Sequence, residues 1–237
     1  MNQTNPILPL DASLTYSDFV FEHLRADIVS GTIPPLAKLS MKDLQARYQV
    51  GLSPTREALH RLVGEGFVTS VGQRGFTVPP LSLDDLQDLT ALRMMVEETA
   101  LRQAIARGDD AWEAGIVAAF HRLEKQIGRF GSDDDAVIAQ YEVVHRAFHA
   151  ALFAGVVSAR LAQMQASLFD QACRYRKTLH AEALPPEEVL REHRAVMLAV
   201  LSRDAERAVA HIRHHLQLTR ESTQHFLARA AGARSDL

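Results

Sequence analysis

Apolar residues recur every three or four positions along most of this chain, and the interruptions in that rhythm divide it into elements. Residues 1–15 carry Pro6 and Pro9 and no period, so a flexible tail is expected there. Phe19, Phe21, Leu24 and Ile28 then predict a helix from about Tyr16 to Ser30, ended by Gly31. Ser40 reads as an N-cap, and Asp43 three residues later completes a capping box. The short helix that follows turns Leu44 and Tyr48 inward. Val50-Gly51-Leu52 reads as a tight turn. Ser53 caps a second helix with Pro54 at its first position, where a missing N–H is harmless. Ala58, Leu59 and Leu62 keep helical spacing until Gly64 and Gly66 stop it. Two β-prone runs follow, Phe67 to Val71 and Phe76 to Val78, joined by Gly72-Gln73-Arg74-Gly75. Helix, turn, helix and hairpin make a winged helix-turn-helix over 16–80, closed by Pro79-Pro80.

A new domain opens at a second capping box, Ser82 to Asp85, and extends over 82–237. The spacing of Leu86, Leu89, Leu92, Val96 and Leu101 is helical, and the same period continues to the C-terminus. Six helices are expected, at roughly 83–107, 110–130, 133–154, 158–181, 186–202 and 204–231. Breaks fall at Gly108-Asp109, Gly131-Ser132, Gly155, Pro185-Pro186 and Ser202 to Asp204. The fold class is therefore mainly α, a winged head followed by an all-helical bundle with short connections.

Composition narrows the setting. The 237 residues suffice for two modest domains, and 47% of them are hydrophobic. No apolar run reaches the roughly 18 residues of a membrane span, and the N-terminus lacks the pattern of a secretion signal. A single cysteine, Cys173, excludes an internal disulfide and fits a reducing cytoplasm; amid Leu168, Ala172 and Tyr175 it reads as packing. The formal charge is −3, yet the stretch from Lys38 to Arg74 holds six basic residues (Lys38, Lys42, Arg47, Arg56, Arg61, Arg74) against three acids. A local excess of about +3 on an acidic chain, on this fold, points to double-stranded DNA.

Four of the eleven histidines have related positions. His145 and His149 are four apart on one helix and stack on one face. His193 and His215 each lie 11 residues from Asp204, the expected cap of the last helix. In an antiparallel hairpin they stand at the same height. If all face inward they complete a four-ligand set for a metal ion; each taken alone also reads as an ordinary packed or solvated imidazole. His211, one turn before His215, is a rival ligand. Arg93 lies on a core-facing stripe and needs an anionic partner. That partner is Glu97, one turn on, or the carboxylate of a bound effector held by the guanidinium fork.

Two stretches resemble known families. Ser53-Pro54-Thr55-Arg56-Glu57-Ala58-Leu59, then Arg61-Leu62 with Glu65-Gly66-Phe67-Val68, then Arg74-Gly75-Phe76-Thr77-Val78, resemble the N-terminal domain of GntR-family bacterial transcription regulators. The resemblance implies a helix from Ser53 in the major groove. It implies DNA contacts by Lys42, Ser53, Thr55, Arg56 and the wing tip Gly72, Gln73 and Arg74. Where the family usually has Ser-Arg before that helix this chain has Gly51-Leu52, and its Pro-Gly reads Pro34-Pro35. The remainder is similar to the FCD-type effector domain of the FadR-like branch, through Arg93 with Glu97, Phe148-His149-Ala150-Ala151-Leu152, Glu192-His193-Arg194-Ala195-Val196 and His215-Leu216. Many members hold a metal through one Asp and three His. The three His match His149, His193 and His215, and His145 stands where the Asp would fall. A nitrogen-rich set favours Zn²⁺ or Ni²⁺ over Mn²⁺ or Mg²⁺. Arg93 matches an effector contact.

The expected protein is a homodimeric, DNA-binding transcription regulator, not an enzyme. A small organic acid bound in the bundle with a metal ion relieves repression. A regulator for which the ion itself is the signal, and a His-ligated metal-dependent hydrolase, are the alternatives.

Overall fold

Thr15 opens the first helix with a complete capping box. Its hydroxyl accepts the Asp18 amide, and the Asp18 carboxylate accepts the Thr15 amide. The computed structural model describes residues 14–70, 72, 75–129, 135–177 and 185–235, with side chains to 228 in the last helix. Most of the expected tail, the wing-tip residues Gln73 and Arg74, the break at Gly131-Ser132 and the end of the expected 158–181 helix lie outside these residues. Nine helices and three two-residue strands are present among the described residues, and the chain divides into two compact units, Met1–Leu81 and Ser82–Leu237.

In the first unit, α1 (Tyr16–Val29), α2 (Met41–Tyr48) and α3 (Leu52–Gly64) surround one core. Phe19, Phe21, Leu24 and Ile28 from α1 meet Leu44 and Tyr48 from α2 and Ala58, Leu59 and Leu62 from α3. Phe67, Val68 and Val78 close it from the hairpin. Strands β1 (Lys38–Leu39), β2 (Thr69–Ser70) and β3 (Phe76–Thr77) form an antiparallel sheet in the order β1-β3-β2. Gly72 and Gly75, with φ of 50° and 94°, allow the turn between β2 and β3. The Asp27 carboxylate ties α1 to α2, accepting from Tyr48 Oη at 2.7 Å and Arg47 Nε at 2.9 Å.

Three local expectations need correction. The N-cap of α3 is Gly51, without a side-chain cap, so Ser53 is already helical and Pro54 occupies the third position. Pro54 remains harmless because first-turn amides have no intrahelical partner anyway. Ser40 and Ser82 each cap through their hydroxyls, accepting the amides of Asp43 and Asp85. The carboxylate of Asp85 instead receives the Tyr175 hydroxyl, which anchors α4 to α7. Strand β1 was not anticipated; it is two residues long and carries no alternation to read.

The second unit consists of α4 (Leu83–Arg107), α5 (Asp110–Ile127), α6 (Asp135–Phe153), α7 (Ala159–Lys177), α8 (Pro186–Leu201) and α9 (Ala205–Ser235). Helix α4 packs on α7 and α9, α5 on α6 and α8, and α8 on α9. Trp112, Ile116, Phe120 and Leu123 of α5 meet Phe148 and Leu152 of α6, Val196 and Val200 of α8, and Ile212 of α9. The Trp112 indole is pinned by donating from Nε1 to the Ala151 carbonyl at 3.0 Å. A Cβ on Gly108 would lie 2.0 Å from that ring. Gly108→Ala is therefore expected to lower stability by about 1–3 kcal/mol through overpacking. Urea denaturation checks it; an unchanged midpoint would show that the indole yields freely.

Candidate functional site

Of the six basic residues between Lys38 and Arg74, two serve the fold. Arg47 is held by Asp27. Arg61 donates to Asp18 at 2.7 Å and lies 4.1 Å over the Phe21 ring. Lys38, Lys42 and Arg56 are exposed, and Arg74 is outside the described residues. Helix α3 presents Ser53, Arg56, Glu57 and His60 to solvent. Thr55 does not share that face. It is fully buried, and its hydroxyl donates to the Gly51 carbonyl at 2.9 Å, so its side chain packs the helix start and cannot reach a ligand. Gly72 is exposed at the wing. Among the described residues, the exposed basic groups of this stretch not engaged within the fold are Lys38, Lys42 and Arg56, with Ser53 also exposed on α3.

In the second unit α6, α8 and α9 bring four imidazoles together. His145 and His149 project from one face of α6, and α8 and α9 contribute His193 and His215. Asp204 caps α9, accepting the Arg207 amide at 3.0 Å, after Arg203 adopts a left-handed φ of 58°. The resulting reversal sets the His193 and His215 rings 4.6 Å apart. One nitrogen from each of the four histidines lies within 4.8 Å of all the others. His145 Nε2 is 3.0 Å from His193 Nε2 and 3.2 Å from His149 Nε2.

These contacts restrict where protons can sit. His193 Nδ1 donates to the Val189 carbonyl at 2.6 Å, so in the neutral ring Nε2 carries a lone pair aimed into the cluster. One proton on His145 Nε2 can serve one of its two short contacts, not both. A further proton is opposed by burial, which holds His145, His149 and His215 well below the ordinary imidazole pKa and His193 at about 4; the Arg176 charge adds to the effect on each. The two separations at His145 Nε2, 3.0 and 3.2 Å, match the edges of a coordination polyhedron whose metal–nitrogen bonds are about 2.0–2.1 Å. The donor set fits a divalent ion that prefers nitrogen. His145, His149, His193 and His215 would hold it.

The same burial has a consequence for stability. The unfolded chain takes up protons on these histidines near pH 6.5, while the folded chain resists until about pH 4 at His193. The metal-free protein is therefore expected to hold full stability above pH 6.5 and lose it as pH falls toward 4, by about 3 kcal/mol for that one imidazole. Chelated protein denatured in urea at pH 7.5 and pH 5 provides the check; equal midpoints would mean the rings are solvated.

Around the cluster lies a second layer. Phe169 of α7 stands 5.8 Å from the His145 ring and 5.1 Å from that of His149. Two guanidiniums lie against the same phenyl ring, Arg93 at 5.5 Å and Arg176 at 4.9 Å. Arg93 Nε donates to Glu97 Oε1 at 2.8 Å, and both side chains are buried. The pairing of Arg93 with Glu97 is thus realised within the fold. Arg176 donates to Glu142 Oε2 at 2.9 Å and to Cys173 Sγ at 2.7 Å. Cys173 is buried, and desolvation raises its pKa to about 11. Sequence reasoning missed Arg176. In Arg174-Tyr175-Arg176-Lys177 it reads as a solvated cation favourable to the helix C-terminus. His211 is absent from the cluster; it lines an outer groove with Leu190, Arg191, Arg194 and Arg207.

A winged helix-turn-helix carried on the same chain as a helical unit with four clustered imidazoles is the architecture of a transcription regulator. The sequence comparisons agree. Residues 16–78 match the gntR family of bacterial regulatory proteins and residues 88–218 match the FCD domain. The chain is 40% identical over 197 residues to the HTH-type transcriptional regulator BphR of Paraburkholderia xenovorans, covering 83% of this chain and 80% of BphR. It is 38% identical over 200 residues to the HTH-type transcriptional repressor GlaR of Escherichia coli, covering 83% and 90%. Among solved structures, McbR/YncC of E. coli superposes with a TM-score of 0.76 at 20% identity, covering 90% of this chain and 98% of that one. The chain belongs to the GntR family of bacterial transcription regulators, in the FadR-like branch with an FCD domain, and this family and these relatives are regulators rather than enzymes. No described helix is long and apolar enough to cross a membrane.

Proposed function

We propose that this chain is a cytoplasmic repressor whose hold on its operator is controlled by a small carboxylate bound in the FCD unit together with Zn²⁺ or Ni²⁺. The observation that carries the reading is the convergence of four imidazoles, three of them fully enclosed, on one point of the bundle interior. Residues 16–80 form the DNA-binding domain, and 82–237 form the effector-binding and dimerisation domain. Lys42, Ser53, Arg56 and the wing tip at Gly72, Gln73 and Arg74 contact the duplex, with Lys38 added by its exposure. Two copies read half-sites about one helical turn apart, which requires a homodimer. The repressor sense rests on GlaR, which is named a repressor.

When bound, the ion supplies a Lewis-acidic position for a carboxylate oxygen. The protein does the rest. His193, fixed by Val189, presents its Nε2 lone pair, and His145 and His149, fixed on one face of α6, are held neutral by burial, so the rings need no net deprotonation to bind an ion. Arg93 gives the pocket wall positive charge, and Phe169 keeps water from it. An effector changes DNA affinity only as far as it binds one arrangement of the chain better than another; a coupling of about 1–3 kcal/mol corresponds to roughly 5–150-fold. Fluorescence anisotropy on an operator duplex tests this. Small carboxylates titrated at constant metal are expected to release the DNA. Release by metal alone, with no carboxylate present, would make the ion the signal and replace this reading.

A further inference from the structure

The two guanidiniums against Phe169 are not equivalent. Arg93 spends its Nε on Glu97 Oε1, and that bond lies wholly inside the bundle. Arg176 uses Nη2 for both Glu142 and Cys173, while its Nε is enclosed with no hydrogen-bond partner among the described residues. A guanidinium donates five N–H bonds in a fixed fork, and an enclosed donor left unmet is costly. Its neighbours explain why the fold does not meet it. The guanidinium lies 4.9 Å from the Phe169 ring, which itself touches His145 and His149. Among the described residues no carboxylate hydrogen-bonds to the Nε edge.

We infer that Arg176 is the effector-reading guanidinium of the pocket: its Nε donates to a carboxylate oxygen of the bound organic acid, while Arg93 serves mainly to neutralise Glu97. This rests on the proposed carboxylate reading and sharpens it, because it assigns specificity to α7. Helix α7 also carries Phe169 and, through the Tyr175 hydroxyl, holds the start of α4 at Asp85. A ligand that pulls on Arg176 therefore acts on the helix anchoring the first turn of the effector unit. The Glu142 and Cys173 contacts fix Nη2, so the fork is held in position before the acid arrives.

The test uses the full chain loaded with Co²⁺, whose visible absorption reports both the metal and a carboxylate arriving near it. Acetate, lactate and succinate are titrated into wild type, Arg176→Lys, Arg176→Gln and Arg93→Lys. The tightest of the three probes is expected to weaken tenfold or more in both Arg176 variants, with the cobalt band and thermal midpoint kept in Arg176→Lys. Arg93→Lys, which keeps the charge beside Glu97, is expected to weaken it less than either Arg176 variant does. Equal probe affinity in wild type and Arg176→Lys overturns the assignment while leaving the carboxylate reading in place. If Arg176→Gln fails to fold, Arg176→Lys decides alone, since it keeps the charge and removes the Nε donor. A wild type that binds cobalt and ignores all three probes removes the carboxylate reading and this assignment with it.

Discussion

Replacing His149 and His193 together by alanine will leave the purified chain without stoichiometric metal. The two residues come from α6 and α8, so the change removes ligands from both sides of the cluster. Loss of a supporting group behind a metal ligand already costs roughly 10–100-fold in affinity; removing two ligands must exceed that. His145 and His215 would remain, two nitrogens with no short contact between them, their rings 6.5 Å apart. Elemental analysis after dialysis against Zn²⁺ or Ni²⁺ gives the answer. About one ion per wild-type chain and none in the double variant is expected. One ion in both would mean that the ligands are elsewhere.

Arg56→Ala will weaken operator binding by about 1–3 kcal/mol if its guanidinium reads a base edge, and the loss will be concentrated at one base pair. The expectation follows from its place on α3. It is exposed on the face opposite Ala58, Leu59 and Leu62, whereas Arg61 is held on Asp18 and Phe21. Arg61→Ala should accordingly lower stability more than it alters sequence preference. Lys42→Ala should weaken all sequences evenly and reduce the salt dependence by about one unit, the mark of a phosphate contact. Anisotropy with operator variants over a salt series separates the three. Unchanged affinity and preference in Arg56→Ala would remove α3 from the reading surface.

Much of this was legible because it rests on long periods. The helices of the effector unit follow from apolar spacing sustained over 16 residues or more, which tertiary contacts rarely override. The alignment of His193 and His215 followed from counting away from Asp204, because an antiparallel hairpin turns equal sequence distance into equal height. What escaped lies in short or context-bound features. Ser53 looked like a cap, but Gly51 takes that position and leaves Leu52 half exposed at the helix start. Thr55 reads as a contact because it stands among residues expected to be contacts; only the helix phase shows that it faces Gly51 and the core. His211 shares a face with His215 in a coarse projection, yet it lines the outer groove with Arg194 and Arg207 and stays out of the cluster. Arg176 is invisible to pattern reading, since a cation in the last turn of a helix normally belongs in water. Burial against Phe169 reverses that meaning, and it depends on packing between α6 and α7 that no local spacing encodes.

On the proposed function, the imidazole cluster governs the DNA-binding head. The most direct measurement is operator occupancy of the metal-loaded chain during titration with small carboxylates, in wild type and in His149→Ala/His193→Ala side by side. A loss of DNA affinity of at least fivefold in wild type and no response in the variant are expected. Equal responses in the two proteins would contradict it.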